Sequence, residues 1–246
     1  MAREHITAHN PLEGSRPDLT IKLYDGSDEQ VSIIIVHKDR PEYLNICLQS
    51  ICVCSTANNY EIIVVDNGSG QDSQDYLAEL EASGEIKVVR NQKNLWWSAA
   101  CNKGVAAADK NTKYLIFMHC DVVVTNNAWM DLLINVSEGQ ESGYVGIEMN
   151  TYKMNDQNTD FISEWCMLMT RECWNDIGPW PEELPQVGHS FMMTINAVRK
   201  GHRPQAMKNN ICHHYRVFSL NSNEWEQLAE KAMSTLSKMM YESRSI

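Results

Sequence analysis

The residues best suited to chemistry lie at the end of an apolar run. Tyr114-Leu-Ile-Phe-Met-His-Cys-Asp-Val-Val-Val124 carries His119-x-Asp121, an imidazole and a carboxylate one residue apart. A buried strand that delivers a carboxylate to the rim of a sheet is how α/β proteins hold a divalent cation against a phosphate-bearing ligand. The same aspartate could also simply cap the turn that follows. Further imidazoles come late in the chain, at His189, His202, His213 and His214.

Regular elements are needed to bring such groups together. Val31-Ser-Ile-Ile-Ile-Val36 is a continuous β-branched run, suited to a strand covered on both faces. Asp39-Arg-Pro-Glu42 predicts a helix start, with Asp39 as cap, and Leu44, Cys47, Leu48 and Ile51 then fall on one helical face. Tyr60–Val65 reads as a second strand, Asp66–Gly70 as a turn, Asp72–Ala82 as a helix, Ile86–Arg90 as a strand and Ser98–Ala108 as a helix. Tyr114–His119 makes the fourth strand. Strands alternating with helices at this spacing predict an α/β fold with a mostly parallel sheet.

After Asp121 the rhythm changes. Ala128–Ile134 reads as helix, Tyr144–Met149 as strand, Asn150–Thr159 as polar loop, and Asn223–Glu242 as a terminal helix with Leu228, Ala232, Leu236 and Met239 on one face. The expected organisation is a polar extension over residues 1–30, one domain over 31–220 with halves 31–125 and 126–220, and a C-terminal helix over 221–246.

Ligands of open parallel sheets bind beyond the carboxyl ends of the strands. Those ends present His37-Lys38-Asp39, Asp66-Asn67, Asn91 to Asn94 and His119-Cys120-Asp121. The chain has no GxGxxG after its first strand and no GxxxxGK[ST], so the usual glycine-rich phosphate cradles are absent. A phosphate bound at this rim would need a metal to neutralise it, with Asp121 as anchor.

The totals narrow the partners. A formal charge of −11 over 246 residues argues against a broad footprint on a nucleic-acid backbone. No apolar stretch reaches the roughly 18 residues of a membrane span, and the polar start is unlike a signal peptide, so a cytoplasmic protein is expected. The eight cysteines include no CxxC pair and are expected to be reduced and structural.

The ordered motifs resemble family 2 glycosyltransferases of the GT-A fold, a three-layer, Rossmann-like sandwich. Val31–Leu44 is similar to the family's opening strand and helix, and Glu61-Ile-Ile-Val-Val-Asp-Asn-Gly-Ser69 to its second strand and acidic turn. Asn94-Leu-Trp-Trp-Ser-Ala-Ala-Cys-Asn-Lys-Gly104 resembles its Asn-x-Gly…Ala-x-Asn-x-Gly segment, with Trp96 where glycine is usual. Phe117-Met-His-Cys-Asp121 resembles the strand that ends in the metal-binding DxD. The likeness runs from about residue 31 to 220.

The resemblance implies transfer of a sugar from a nucleoside diphosphate, UDP above all, to a hydroxyl acceptor with Mn²⁺ or Mg²⁺ as cofactor. It implies a nucleotide site of Val36, His37, Asp39, Asp66, Asn94, His119 and Cys120, in which Asp66 reads the base. It implies metal ligation by Asp121 and by His213 or His214, without choosing between them. His119 replaces the first acid of DxD and either ligates the metal or orients the diphosphate. The family's inverting members carry a Glu-Asp base before the last helix, whereas Val187-Gly-His-Ser-Phe-Met192 holds no carboxylate. His189 and Glu164 are the candidate bases, with Glu182 and Glu183 further options; a retaining or an inactive member also fits. The expected acceptor is a glycan, with a hydroxymethylated nucleobase as alternative if Arg199, Lys200, Arg203 and Lys208 flank the site. A nucleotidyltransferase would need a basic glycine-rich loop that the chain lacks, and oligomeric state is not legible.

Overall fold

The computed structural model describes residues 31–55, 59–139, 142–154, 157–207, 211–217 and 222–242. The expected N-terminal extension lies outside the described residues. The first half is built from β1 (Val31–His37), α1 (Pro41–Cys54), β2 (Tyr60–Asp66), α2 (Gln71–Ala82), β3 (Lys87–Arg90), α3 (Trp96–Ala107) and β4 (Tyr114–His119). β1 pairs in parallel with both β2 and β4, which places it mid-sheet. Its isoleucines are fully buried on both faces, and this is why its sequence shows no polar alternation.

The second half adds β5 (Val122–Val124), α4 (Trp129–Gly139), β6 (Tyr144–Gly146), β7 (Met149–Met154), β8 (Gln157–Ile162), β9 (Cys166–Thr170), α5 (Arg171–Ile177), α6 (His189–Arg199), β10 (Gln205–Ala206), β11 (Cys212–His214) and α7 (Ser222–Glu242). Among the described residues the main sheet runs β10-β6-β9-β4-β1-β2-β3. It is parallel apart from β9, which lies antiparallel between β4 and β6. The fold is therefore the expected α/β arrangement, with a mostly parallel sheet between helical layers. One apolar cluster fills the α1–α2–α4 side around Leu48, Ile116 and Trp129, and a second fills the α3–α5–α6 side around Phe117, Trp180 and Met193.

Two local expectations fail. The stretch predicted as polar loop over Asn150–Thr159 is most of an antiparallel hairpin, with β7 pairing β8 from Met149↔Ile162 to Met154↔Gln157. Its polar side chains, such as Thr151 and Asp160, face solvent and bond to each other at 2.6 Å. Its inward residues are few: Tyr152 and Phe161 pack against Leu184 and Phe191, and the adjacent Ile162 is buried in the Phe117–Trp180 cluster, with no regular alternation to mark a strand. Nor does Asp39 cap α1. Asp39 and Arg40 take left-handed backbone at φ 56° and 60°. The Asp39 carboxylate instead accepts the Gly70 N–H at 2.8 Å, tying the end of β1 to the turn after β2.

All eight cysteines are free thiols, and all but Cys52 are buried, as a structural role requires. Among the described residues no helix is long and apolar enough to cross a membrane.

Candidate active site

The carboxyl ends of β1, β2 and β4 and the start of α3 open onto a cleft of about 220 Å³. Val36 and Lys38 from the end of β1, Asn67 after β2, Asn94, Trp96 and Trp97 around the start of α3, and His119, Cys120 and Asp121 after β4 line it, together with Gln186. An asparagine network builds the wall. Asn67 Nδ2 donates to Asn94 Oδ1 at 2.8 Å and to the Trp96 carbonyl at 3.1 Å, while Asn67 Oδ1 accepts the Leu95 N–H and Asn91 Nδ2. Asn94 Oδ1 also accepts the Trp96 N–H at 2.8 Å. These bonds hold Trp96 at φ 63°, a left-handed conformation that a bulky residue keeps only when its surroundings enforce it. Glycine would adopt it freely, so the tryptophan keeps a glycine backbone and adds a side chain to the cleft wall.

Beside the cleft three ligand-type atoms converge. His119 Nδ1, Asp121 Oδ1 and His214 Nε2 all lie within 4.8 Å of one another. His214 Nε2 is 3.1 Å from Asp121 Oδ1 and 3.3 Å from His119 Nδ1. β4 ends in His119, Cys120 and Asp121 make the turn into β5, and β11 runs antiparallel to β5 so that His214 pairs Val122. The fold thus brings a residue 93 positions away onto Asp121. Trp165 stacks on His214 with ring centroids 5.2 Å apart and planes 14° off parallel, and Trp97 meets His119 edge-on at 4.5 Å. His213 points the other way, exposed, with its ring against Tyr215.

Burial depresses the His119 imidazole to about 4, so it is neutral and offers a lone pair near pH 7. Burial opposes ionisation of Asp121, but the His214 hydrogen bond and charge and the 2.9 Å bond from the Val217 N–H outweigh it and hold the carboxyl below its usual range. Two imidazoles and one carboxylate make a mixed nitrogen–oxygen donor set.

Of the residues expected to read a nucleoside, Val36 and Asn94 line the cleft, and His37, Asp39 and Asp66 stand outside its lining. Asp66 is buried, and its Oδ1 accepts the Ser69 N–H at 3.0 Å, which shapes the turn. His37 is buried behind Val36, 3.2 Å from Ser73 Oγ, and burial lowers it to about 4. Asp39 stands half-exposed at the mouth beside Lys38.

Beyond the His119 end lies a second cavity of about 430 Å³, which shares Gln186 with the cleft and holds Glu164, His189 and Ser190. Ser190 Oγ donates to Glu164 Oε2 at 2.8 Å. Burial pushes Glu164 up, but the nearby His189 and His119 and the Ser190 bond carry it below its ordinary value. His189 is itself lowered by burial, is 1% exposed, and packs between Trp97 and Trp180. Glu182 stands apart from this pair, bonded to Asn102. Arg199, Lys200 and Arg203 are exposed at the C-terminal end of α6, about 16 Å along the helix from His189. Lys208 lies outside the described residues.

Sequence reasoning missed Gln186, and it read Trp165 as a possible stacking face for a sugar or base, not as the partner of His214. Gln186 sits in an irregular Pro-rich loop with no periodic signal, and Trp165 resembles any core tryptophan until β11 is laid beside it.

Known proteins share this architecture. Residues 32–200 match the model of Glycosyl transferase family 2. Chondroitin synthase of Escherichia coli is 32% identical over 147 residues, covering 56% of this chain and 20% of that protein, so the chain spans a fifth of its relative's length. The mannosyltransferase PcManGT from Pyrobaculum calidifontis, solved with GDP-Man and Mn²⁺, superposes with a TM-score of 0.62 at 14% identity, covering 87% of this chain and 63% of that one. GalNAc-T7, solved with UDP, GalNAc and Mn²⁺, gives 0.61 at 15% identity, with 74% and 43% covered. At such identities the likeness to the two solved structures speaks for the fold. The family match begins in β1 and reaches the end of α6, taking in every strand whose end opens onto the cleft, and on that ground the chain belongs to glycosyl transferase family 2 and has its GT-A fold.

Proposed function

We propose that the protein transfers a sugar from a nucleoside diphosphate, in the first instance UDP, to an acceptor hydroxyl, and that transfer depends on Mn²⁺ or Mg²⁺. The observation that carries this reading is the meeting of His119, Asp121 and His214 beside a cleft of about 220 Å³ at the carboxyl ends of the parallel strands. The donor set fits a cation: His119 and His214 both turn a ring nitrogen toward one ionised carboxylate oxygen. Imidazole nitrogens favour Mn²⁺ over Mg²⁺, which prefers oxygen ligands and retained water. Bound there, the cation would neutralise the diphosphate and stabilise it as a leaving group. The Mn²⁺ and nucleotide components named for PcManGT and GalNAc-T7 support this choice.

The chain's own groups supply the rest. Val36, Asp39, Asp66 and Asn94, with His37 behind them, shape the nucleoside end, and Trp96 walls the donor. Glu164 takes the proton of the acceptor hydroxyl. The acceptor oxygen then bonds to the anomeric carbon as the bond from that carbon to the diphosphate oxygen breaks, and the nucleoside diphosphate leaves with the electron pair. With Glu164 as base and no covalent intermediate on the protein, this is a single displacement, which inverts the anomeric centre. Ser190 fixes the Glu164 rotamer, and neutral His189 packs beside it. The exposed basic residues stand at the wrong end of α6 to hold a nucleic-acid backbone at this site, so a nucleobase acceptor gains no support.

Thermal unfolding with UDP, GDP and their sugars, each with and without Mn²⁺, tests the donor reading. A ligand that binds the folded state raises the transition temperature. Mn²⁺-dependent stabilisation by one nucleotide sugar is the expected result, and no response to any nucleotide with either cation refutes it.

A further inference from the structure

We infer that the cavity of about 430 Å³ beside Glu164 is the acceptor subsite and that it takes a small aromatic alcohol, a ring carrying a hydroxyl or hydroxymethyl group, in place of a sugar. The inference rests on the reading of Glu164 as the group that accepts the acceptor's proton.

Location is the first argument. The cavity lies between the β7–β8 hairpin, the start of α6 and the middle of α7, and Gln186 lines both it and the donor cleft. A ligand seated here can therefore direct a hydroxyl past Glu164 toward the donor. The volume falls in the range of small-molecule pockets, about 300–1,000 Å³.

The second argument is how polar groups are distributed. At the inner end Glu164, Ser190 and His189 stand together, and His189 has both ring nitrogens buried with no partner among the described residues. A neutral imidazole offers one donor and one acceptor, and a hydroxyl is the smallest group that can meet either. Elsewhere in the lining Asn150 Nδ2 donates to Ser163 Oγ, Ser163 Oγ also reaches Glu148, and the Tyr152 hydroxyl donates to the Met233 sulfur at 2.9 Å.

The walls are apolar and aromatic. Phe191 meets Tyr152 edge-to-face at 5.8 Å and 77°, and meets Phe161 at 5.9 Å and 72°. Met233 and Leu236 of α7 close the side opposite. A planar ring completes such an edge-to-face cluster, with the Met233 thioether as a soft neighbour. A pyranose carries a hydroxyl on most of its ring carbons, and these walls would leave nearly all of them desolvated and unpaired. The nearest basic cluster, at the far end of α6, gives no counter-charge for a polyphosphate chain that would present a base. The occupant is a free small molecule.

Binding of three probes to the full chain tests this: 4-hydroxybenzyl alcohol, methyl β-glucoside and 5-hydroxymethyl-2′-deoxyuridine, each titrated by saturation-transfer NMR. The expected order puts the aromatic alcohol about tenfold tighter than either of the others. Ala232→Phe, which fills the cavity, should weaken it by about tenfold as well. If Ala232→Phe does not fold, Phe161→Leu probes the same wall and should weaken binding several-fold. Equal or tighter binding of the glucoside or the nucleoside overturns the inference, and so does aromatic binding that a folded wall variant leaves unchanged. The donor reading fails separately: aromatic binding that persists while UDP and Mn²⁺ give no thermal shift sinks the proposed function and leaves the cavity's ligand assigned.

Discussion

The Ser190 hydroxyl donates a 2.8 Å hydrogen bond to Glu164 Oε2, joining the first turn of α6 to the loop that leads into β9. The carboxylate therefore comes to the helix N-terminus from outside the helix, where the exposed N–H groups favour negative charge. The sequence has His189-Ser190 where the resemblance leads one to expect Glu-Asp. The fold fills that place with an acid from 26 residues away.

Glu164→Gln keeps the shape and the hydrogen bond but removes the base. General-base catalysis contributes about 10²–10⁴-fold, so turnover should fall by that order while nucleotide and Mn²⁺ binding persist. Ser190→Ala should cost less than about tenfold, because it loosens the carboxylate without removing it. Turnover measured at saturating donor checks both, and near-normal activity in Glu164→Gln would assign the proton to another group.

The two adjacent histidines of β11 should separate cleanly. His214 reaches Asp121 at 3.1 Å, and His213 turns outward onto Tyr215. Loss of a group that merely orients a ligand costs about 10–100-fold in metal affinity, so loss of a ligand in His214→Ala should cost at least as much. His213→Ala should bind Mn²⁺ like the wild type. Titration of free Mn²⁺ by electron paramagnetic resonance reads the difference, and equal affinities in the two variants would remove His214 from the ligand set.

How much of this was legible depended on range along the chain. β1, β2 and β4 announce themselves because strands buried on both faces must be apolar throughout, and the rim residues follow from where those strands end. The β7–β8 hairpin was hidden because its few inward residues, Tyr152, Phe161 and Ile162, follow no regular alternation. The choice of His214 over His213 was hidden too, because it depends on the register of β11 against β5, and a slip of one residue exchanges the faces. The partnership of Glu164 with Ser190 joins a loop to a helix with no shared period, and no sequence pattern encodes it.

Gly104 provides a test of how tightly α3 is seated on the sheet. In an exposed helix, Gly→Ala stabilises by roughly 0.5–1 kcal/mol. Here an added Cβ would clash with Ile34 Cγ2 and lie 3.1 Å from Val65 Cγ2, inside the packed interior of β1 and β2. Overpacking costs about 1–3 kcal/mol, so the sign should reverse and Gly104→Ala should unfold at lower temperature. A variant at least as stable as the wild type would show that α3 can lift from the sheet.

Acid should weaken the fold through His37. Its folded-state value is about 4 against 6.5 for the free side chain, because burial penalises the imidazolium more than the neighbouring Asp66 and Asp39 favour it. Between those values the unfolded chain binds the extra proton, so stability rises with pH across that window. The full contribution is present above about pH 6.5 and is lost as pH falls toward 4, up to about 3 kcal/mol for a shift of this size. Buried His119 and His189 act in the same sense. Urea unfolding at pH 7 and pH 5 should show a clear loss in the wild type and a smaller one in His37→Gln, which cannot take up the proton. Parallel pH dependence in the two proteins would mean that His37 stays solvated enough to titrate normally.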